Sequence, residues 1–200
     1  EGGFDVAGSR KAILDTLFRL SKERNREIQG FKMWINNKES SYPLRKTLRY
    51  YDKVKSHEPE TTALFKKIVL RGDTVLDIGA NIGYFSLLAR RLVGATGKIY
   101  AFEPEDKNFK YLTKNVRLNK WDINIAQMAV SDKEGIIDLF RCPYDSGHHT
   151  INQKGGIENY RKRSWLRLLT SHKIIKTSIP AIKLDNLFKG KEVDVVKIDV

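Results

Sequence analysis

The segment Asp77-Ile78-Gly79-Ala80-Asn81-Ile82-Gly83 holds the residues best suited to chemistry in this sequence. The short apolar run Thr74 to Gly79 leads into it, and a helical pattern with Phe85, Leu87, Leu88 and Leu92 leads away. Glycine at such a strand-to-helix turn lets the backbone come close to a ligand, and helix N-terminal amides then point at it. Gly79 serves the tight turn and Gly83 the close approach. Asn81 stands where many such loops have glycine, and asparagine tolerates left-handed backbone better than most residues. A dinucleotide fold uses Gly-x-Gly-x-x-Gly, whereas the order here is Asp-x-Gly-x-x-x-Gly. The negative charge of Asp77 disfavours a pyrophosphate and favours the ammonium of an amino-acid moiety. Glu103 closes the next apolar run, Lys98 to Glu103, and an acid there lies beside the first loop, where it accepts ribose hydroxyls. Pro104 ends that strand. A nucleoside bearing an amino acid fits this set better than a nicotinamide dinucleotide.

The elements that must position these groups follow from periodicity. Short apolar runs at Thr74–Gly79, Lys98–Glu103 and Ile123–Val130 alternate with helical stretches. One follows the loop and is closed by Gly94 and Gly97; the other runs from Asp106 to Leu118. That alternation predicts an α/β fold, a mostly parallel sheet with helices on both faces. Beyond Ser131 the alternation stops. A strand is expected at Gly135–Phe140, a loop-rich stretch at Cys142–Gly156 and a helix at Ile157–Leu169. Lys173–Lys183 reads as a strand and Val193–Val200 as a buried one. Upstream, Ile13, Leu14, Leu17, Phe18 and Leu20 predict a helix from Ser9 that stops at Gly30. A short strand at Phe31–Ile35, a helix after Pro43 and another over Pro59–Leu70 complete the pattern. Residues 1–56 are thus expected to form a helical cap or extension, and 57–200 the main domain.

Composition narrows the class. Two hundred residues suffice for one sizeable core, and no apolar run reaches the roughly 20 residues of a membrane span. The first thirty residues are too charged for a secretory signal, and Cys142 is alone, so a reducing, cytoplasmic setting is expected. The net charge of +13 is spread along the chain and densest from Lys154 to Lys176. Such a surface attracts nucleic acid, anionic lipid or an acidic small substrate, or else is simply a solvated face. Tyr160 to Arg167 interleaves aromatic and basic residues, which suits a phosphate-bearing or nucleic-acid substrate, or the buried side of a surface helix.

Taken together the motifs resemble the FkbM family of S-adenosylmethionine-dependent methyltransferases. The resemblance rests on Val75-Leu-Asp-Ile-Gly-Ala-Asn-Ile-Gly-Tyr-Phe-Ser86, Tyr100-Ala-Phe-Glu-Pro104, and Asn115 with Asn119. It continues through Ala129-Val-Ser-Asp132 with Gly135, Leu184-Asp185 and Val196-Lys-Ile-Asp-Val200, and includes His57-Glu-Pro-Glu-Thr61 upstream. It implies a Rossmann-like class I methyltransferase domain with S-adenosylmethionine as cofactor. Asp77, Gly79, Ala80 and Asn81 would meet the methionine part, Glu103 the ribose, and Ser131 or Asp132 the adenine. Glu58, Gly83, Tyr84, Phe85, Pro104 and Asp199 complete the expected cofactor set, with Asp199 at the end of the fourth core strand facing the transferred methyl. The family pattern continues past Val200 with Glu-Gly and further elements, so the domain is expected to be truncated after that strand.

Family members methylate hydroxyl oxygens on sugars and polyketide-like products, which implies O-methylation of a small molecule or glycan, with an anionic acceptor fitting the basic charge. Transfer to a hydroxyl often uses a general base. Asp199 is one candidate, with a structural carboxylate as the bland alternative; His148 and His149, in a loop after Gly147, are the others, unless they are idle loop residues. No metal site is expected, because adjacent histidines without further ligands do not build one. Two other functions compete. An RNA methyltransferase accords with the basic charge but lacks a recognisable RNA-binding module, and a non-catalytic cofactor-binding remnant would fit the early end. Oligomeric state leaves no mark in the sequence.

Overall fold

A computed structural model describes residues 24–35, 56–141 and 175–200. Its elements are β1 (Arg24–Ile28), β2 (Phe31–Ile35), α1 (Pro59–Ile68), β3 (Thr74–Ile78), α2 (Tyr84–Val93), β4 (Lys98–Phe102) and α3 (Asp106–Asn119). They continue with β5 (Asn124–Ala126), β6 (Ala129–Val130), β7 (Gly135–Arg141), β8 (Ile175–Ile182), α4 (Leu184–Leu187) and β9 (Val195–Ile198).

The central sheet is wholly parallel, in the order β5-β4-β3-β9. Successive right-handed crossovers carry the chain from β3 outward through β4 to β5, which places α2 and α3 on one face. The chain then returns to the far side of β3 as β9, so the direction of winding reverses between β3 and β9. Open α/β sheets bind ligands at the carboxyl ends of their strands, at such a reversal.

Strand alternation divides the core. Val75, Ile99 and Ala101 face α1, α2 and α3, where Phe65, Phe85, Leu88, Leu112 and Val116 complete one cluster. Leu76, Ile78 and Phe102 face the other way, against Phe188, Leu184 and Leu187, with Tyr100 set edge-on to Phe188 at 4.9 Å. Among the described residues helices therefore lie on both faces, unevenly: the second face carries the single turn α4. A second sheet, β6-β8-β7, pairs β8 parallel with β6 and antiparallel with β7.

Four expectations need correction. The helix expected to run through Gly30 is a hairpin at that end: β1 and β2 pair antiparallel across Gln29 and Gly30, both at positive φ. Two consecutive residues of that kind make the tight turn that suits strand twist. The helical spacing lay entirely in residues 13–20 and said nothing of Arg24–Ile28, whose Ile28 packs with Phe31 and Met33 on the core. The run Ile123–Val130 is two strands in different sheets, β5 and β6. The strand expected at Val193–Val200 is shorter, Val195–Ile198, and only partly buried: Val195 packs on the core, while Val196 is 48% and Ile198 65% exposed, β9 pairing with β3 alone among the described residues. The helix over Pro59–Leu70 stops at Ile68. The helices expected after Pro43 and over Ile157–Leu169 lie outside the described residues.

The hairpin is held by side chains that act as a strand would. Asn115 Oδ1 accepts from Trp34 N and Asn119 Oδ1 from Lys32 N, both at 2.7 Å, and Asn119 Nδ2 donates to Lys32 O. One turn of helix separates these asparagines, so they meet alternate residues of β2 and satisfy its open edge. Asn115, fully buried, also donates to Ile82 O at 2.8 Å and so ties the hairpin to the glycine loop.

Candidate functional site

The glycine loop leaves β3 at the point of reversal. Asn81 has φ 52, the left-handed backbone its residue type accommodates. Gly79 is required for a second reason: at φ +75 a Cβ there would lie 2.0 Å from the Asp199 carbonyl oxygen. The loop and the end of β9 thus touch through backbone, with Asp199 N donating to Ile78 O at 3.0 Å.

The loop amides are spoken for. Gly79 N and Ala80 N both donate to Phe102 O, Gly83 N donates to Ala80 O, and Asn81 N donates to Glu103 Oε2 at 2.8 Å. Beside them stand the carboxylates of Asp77, Glu103 and Asp199, so the surroundings suit a cation and oppose a pyrophosphate.

Glu103 is 5% exposed at the end of β4. Its Oε1 accepts from Glu105 N at 2.9 Å, and Glu105 in turn caps α3 by accepting from Asn108 N. Burial raises its pKa to about 7, against the lowering effect of hydrogen bonds from Glu105, Asn81 and Asn108. Burial thus favours its protonated form well beyond that of an exposed glutamate.

Asp77 is fully buried. Its Oδ2 accepts from Ser86 Oγ at 2.6 Å, while Oδ1 has no hydrogen bond and lies 3.5 Å from Lys197 Nζ. The strand register places Asp77 directly beside Lys197. Lys197 Nζ also stands 3.5 Å from Asp199 Oδ2 and 5.0 Å from the centre of the Phe85 ring. Asp199 itself is open, its side chain 64% exposed.

His57 joins this group from the segment preceding α1. Its ring packs edge-on against Tyr84 at 5.5 Å and tilted against Phe85 at 5.9 Å, and Nε2 lies 3.4 Å from Glu58 Oε1. Burial lowers its pKa; Lys197 pushes the same way, while Glu58 and Asp199 oppose. The lowered pKa favours the neutral imidazole, the form able to accept a proton. Thr62 Oγ1 bonds to His57 O and reaches Tyr84 OH at 3.3 Å, holding the segment over α2.

Among the expected site residues, the structure brings Asp77, Gly79, Ala80, Asn81, Gly83, Tyr84, Phe85, Glu103 and Asp199 together, with Glu58 reached through His57. Pro104 follows Glu103 at the end of β4. Ser131 and Asp132 leave β6 in the second sheet, hydrogen-bonded to each other at 3.1 Å. His148 and His149 lie outside the described residues. Sequence reasoning missed Lys197 and His57. A lysine inside the apolar run Val195–Ile198 was the available sign for the first; the second follows only from packing. No helix among the described residues is long and apolar enough to cross a membrane.

Residues 77–200, more than half the chain, match the Methyltransferase FkbM domain. A stretch of 66 residues is 41% identical to the 31-O-demethyl-FK506 methyltransferase FkbM of Streptomyces tacrolimicus, covering 32% of this chain and 25% of that protein. The chain thus spans about a quarter of that relative. Among solved structures, a protein-L-isoaspartate O-methyltransferase is 26% identical with a TM-score of 0.33, over 48% of this chain and 26% of that one. A methyltransferase from Aquifex aeolicus is 23% identical with a TM-score of 0.35, over 45% and 47%.

Proposed function

We propose, on the premise that this chain belongs to the FkbM methyltransferase family, that it transfers a methyl group to a hydroxyl oxygen of a small molecule, sugar or glycan. The cofactor is S-adenosylmethionine, which supplies an electrophilic methyl on a sulfonium. The residues at the reversal between β3 and β9 fit it: the acceptor-rich loop edge and the carboxylates suit its two cationic groups, and Glu103 suits a ribose diol.

In this reading Glu103 accepts the ribose hydroxyls and Asp77 fixes the charge beneath the methionine end. Asp199 faces that end from β9, and Gly79, Ala80, Asn81 and Gly83 shape the floor. Glu58, Tyr84, Phe85 and Pro104 border the site, while Ser131 and Asp132 serve the adenine. His57 is the proton acceptor for the hydroxyl.

The observation that carries O-methylation is this last group: an imidazole kept neutral by burial, partly open, beside the exposed Asp199. A hydroxyl acceptor must lose its proton as it is methylated, and a neutral imidazole is matched to that task. The name of the Streptomyces relative, 31-O-demethyl-FK506 methyltransferase, supports the same choice. Incubation with methyl-tritiated S-adenosylmethionine and a panel of sugars, glycans and polyols tests it. Alkali-stable ether products are expected. Label confined to RNA, or to carboxyl esters, would overturn the reading.

A further inference from the structure

Lys197 interrupts an apolar strand, and its surroundings say what it is for. An ammonium on an edge strand could turn to water, yet this side chain is only 13% exposed. It lies over the Phe85 ring face, between a fully buried carboxylate, Asp77, and an open one, Asp199. Both ion pairs measure 3.5 Å, longer than the 2.7–3.2 Å of a direct N–H···O bond. Charge holds the group in place without spending its donors on short bonds.

An amino-acid tail arriving at the ends of β3 and β9 brings one anion and one ammonium. The amides of Gly79, Ala80, Asn81 and Gly83 are committed internally. His57, beside Lys197, is held neutral. Lys197 and Asp199 present the complementary pair of charges side by side.

We propose that Lys197 binds the carboxylate of the cofactor's methionine moiety, with Asp199 facing its ammonium. Asp77 then acts beneath them, holding Lys197 in place. This rests on the cofactor assignment and not on the nature of the methyl acceptor.

Calorimetry on the whole chain tests it with two ligands that differ by the amino-acid tail, S-adenosylhomocysteine and 5′-methylthioadenosine. A charge-assisted bond of this kind corresponds to about 10-fold to 100-fold in affinity. Lys197→Met should weaken S-adenosylhomocysteine by that factor and leave methylthioadenosine within about threefold, and Lys197→Arg should restore much of the loss. Equal loss for both ligands would make Lys197 merely structural, and no loss for S-adenosylhomocysteine would remove it from the site. Either result overturns the proposal while the cofactor assignment stands. Should Lys197→Met fail to fold, decarboxylated S-adenosylhomocysteine must bind the folded wild type about 10-fold to 100-fold more weakly than the parent, and Lys197→Gln must narrow that ratio. Equal affinity of wild type for the two, or an unchanged ratio in Lys197→Gln, overturns it. Failure of folded wild type to bind S-adenosylhomocysteine at all would overturn both assignments.

Discussion

Two neighbouring strands, β3 and β9, have similar apolar sequences and opposite fates. In β3, flanked by β4 and β9, Val75 to Ile78 are all buried. In β9 burial alternates and Val196 and Ile198 lie open. Each strand brings an acid to the ligand-binding edge: Asp77 is fully buried, and Asp199 is 64% exposed. The contrast shows that burial, more than residue type, distinguishes the two acids. A buried carboxylate tied to Ser86 and Lys197 organises the site, whereas an exposed one is free to meet a ligand.

The severest way to break this comparison is at the contact between the two strand ends. Gly79→Ala forces a Cβ against the Asp199 carbonyl at positive φ, and strain plus overpacking should cost about 4 kcal/mol in urea unfolding. Next come the two acids themselves. Asp77→Asn leaves Lys197 largely buried opposite a neutral group and should cost about 3 kcal/mol, while Asp199→Asn should stay within about 0.5 kcal/mol. Similar losses for the two would erase the distinction.

Glu103 sharpens the same point through protons. Its pKa is about 7 in the fold against 4.5 for an unperturbed glutamate, so the folded chain holds this proton more tightly. Its contribution to stability is full below pH 4.5 and is lost as pH rises through about 7. Glu103→Gln should flatten stability across that window. If ribose hydroxyls engage the ionised form, S-adenosylhomocysteine binding at pH 6 should release up to about one proton, detected in buffers of different ionisation enthalpy, and none at pH 8. Proton release persisting in Glu103→Gln would assign it elsewhere.

The smallest effect belongs to His57. Its lowered pKa means that the fold favours the neutral ring, so its contribution is present above pH 6.5 and is lost as pH falls. His57→Gln should lose less stability on acidification below that point than wild type does. An unchanged acid limb would show that this ring is not the source.

Much of the loop was legible because turn chemistry and charge are local. Asp77, the positive-φ Asn81 and the separation of Glu103 all follow from spacing along one βαβ unit. Pairings across long stretches were not. Lys197 meets Asp77 across 120 residues, and His57 meets Tyr84 and Phe85 from the segment preceding α1. The hairpin at Gln29-Gly30 was hidden by helical spacing that belongs to other residues, and the break between β5 and β6 by an unbroken apolar run.

By itself the sequence determined the parallel α/β order, the loop and the kind of cofactor, since periodicity, backbone freedom and the sign of nearby charge act over a few residues. Only the tertiary structure decided which acid is buried and which is open, that the loop amides are already used, and that Lys197 and His57 belong to the site. Those outcomes depend on strand order and on solvent exclusion, and neither is a property of any segment taken alone.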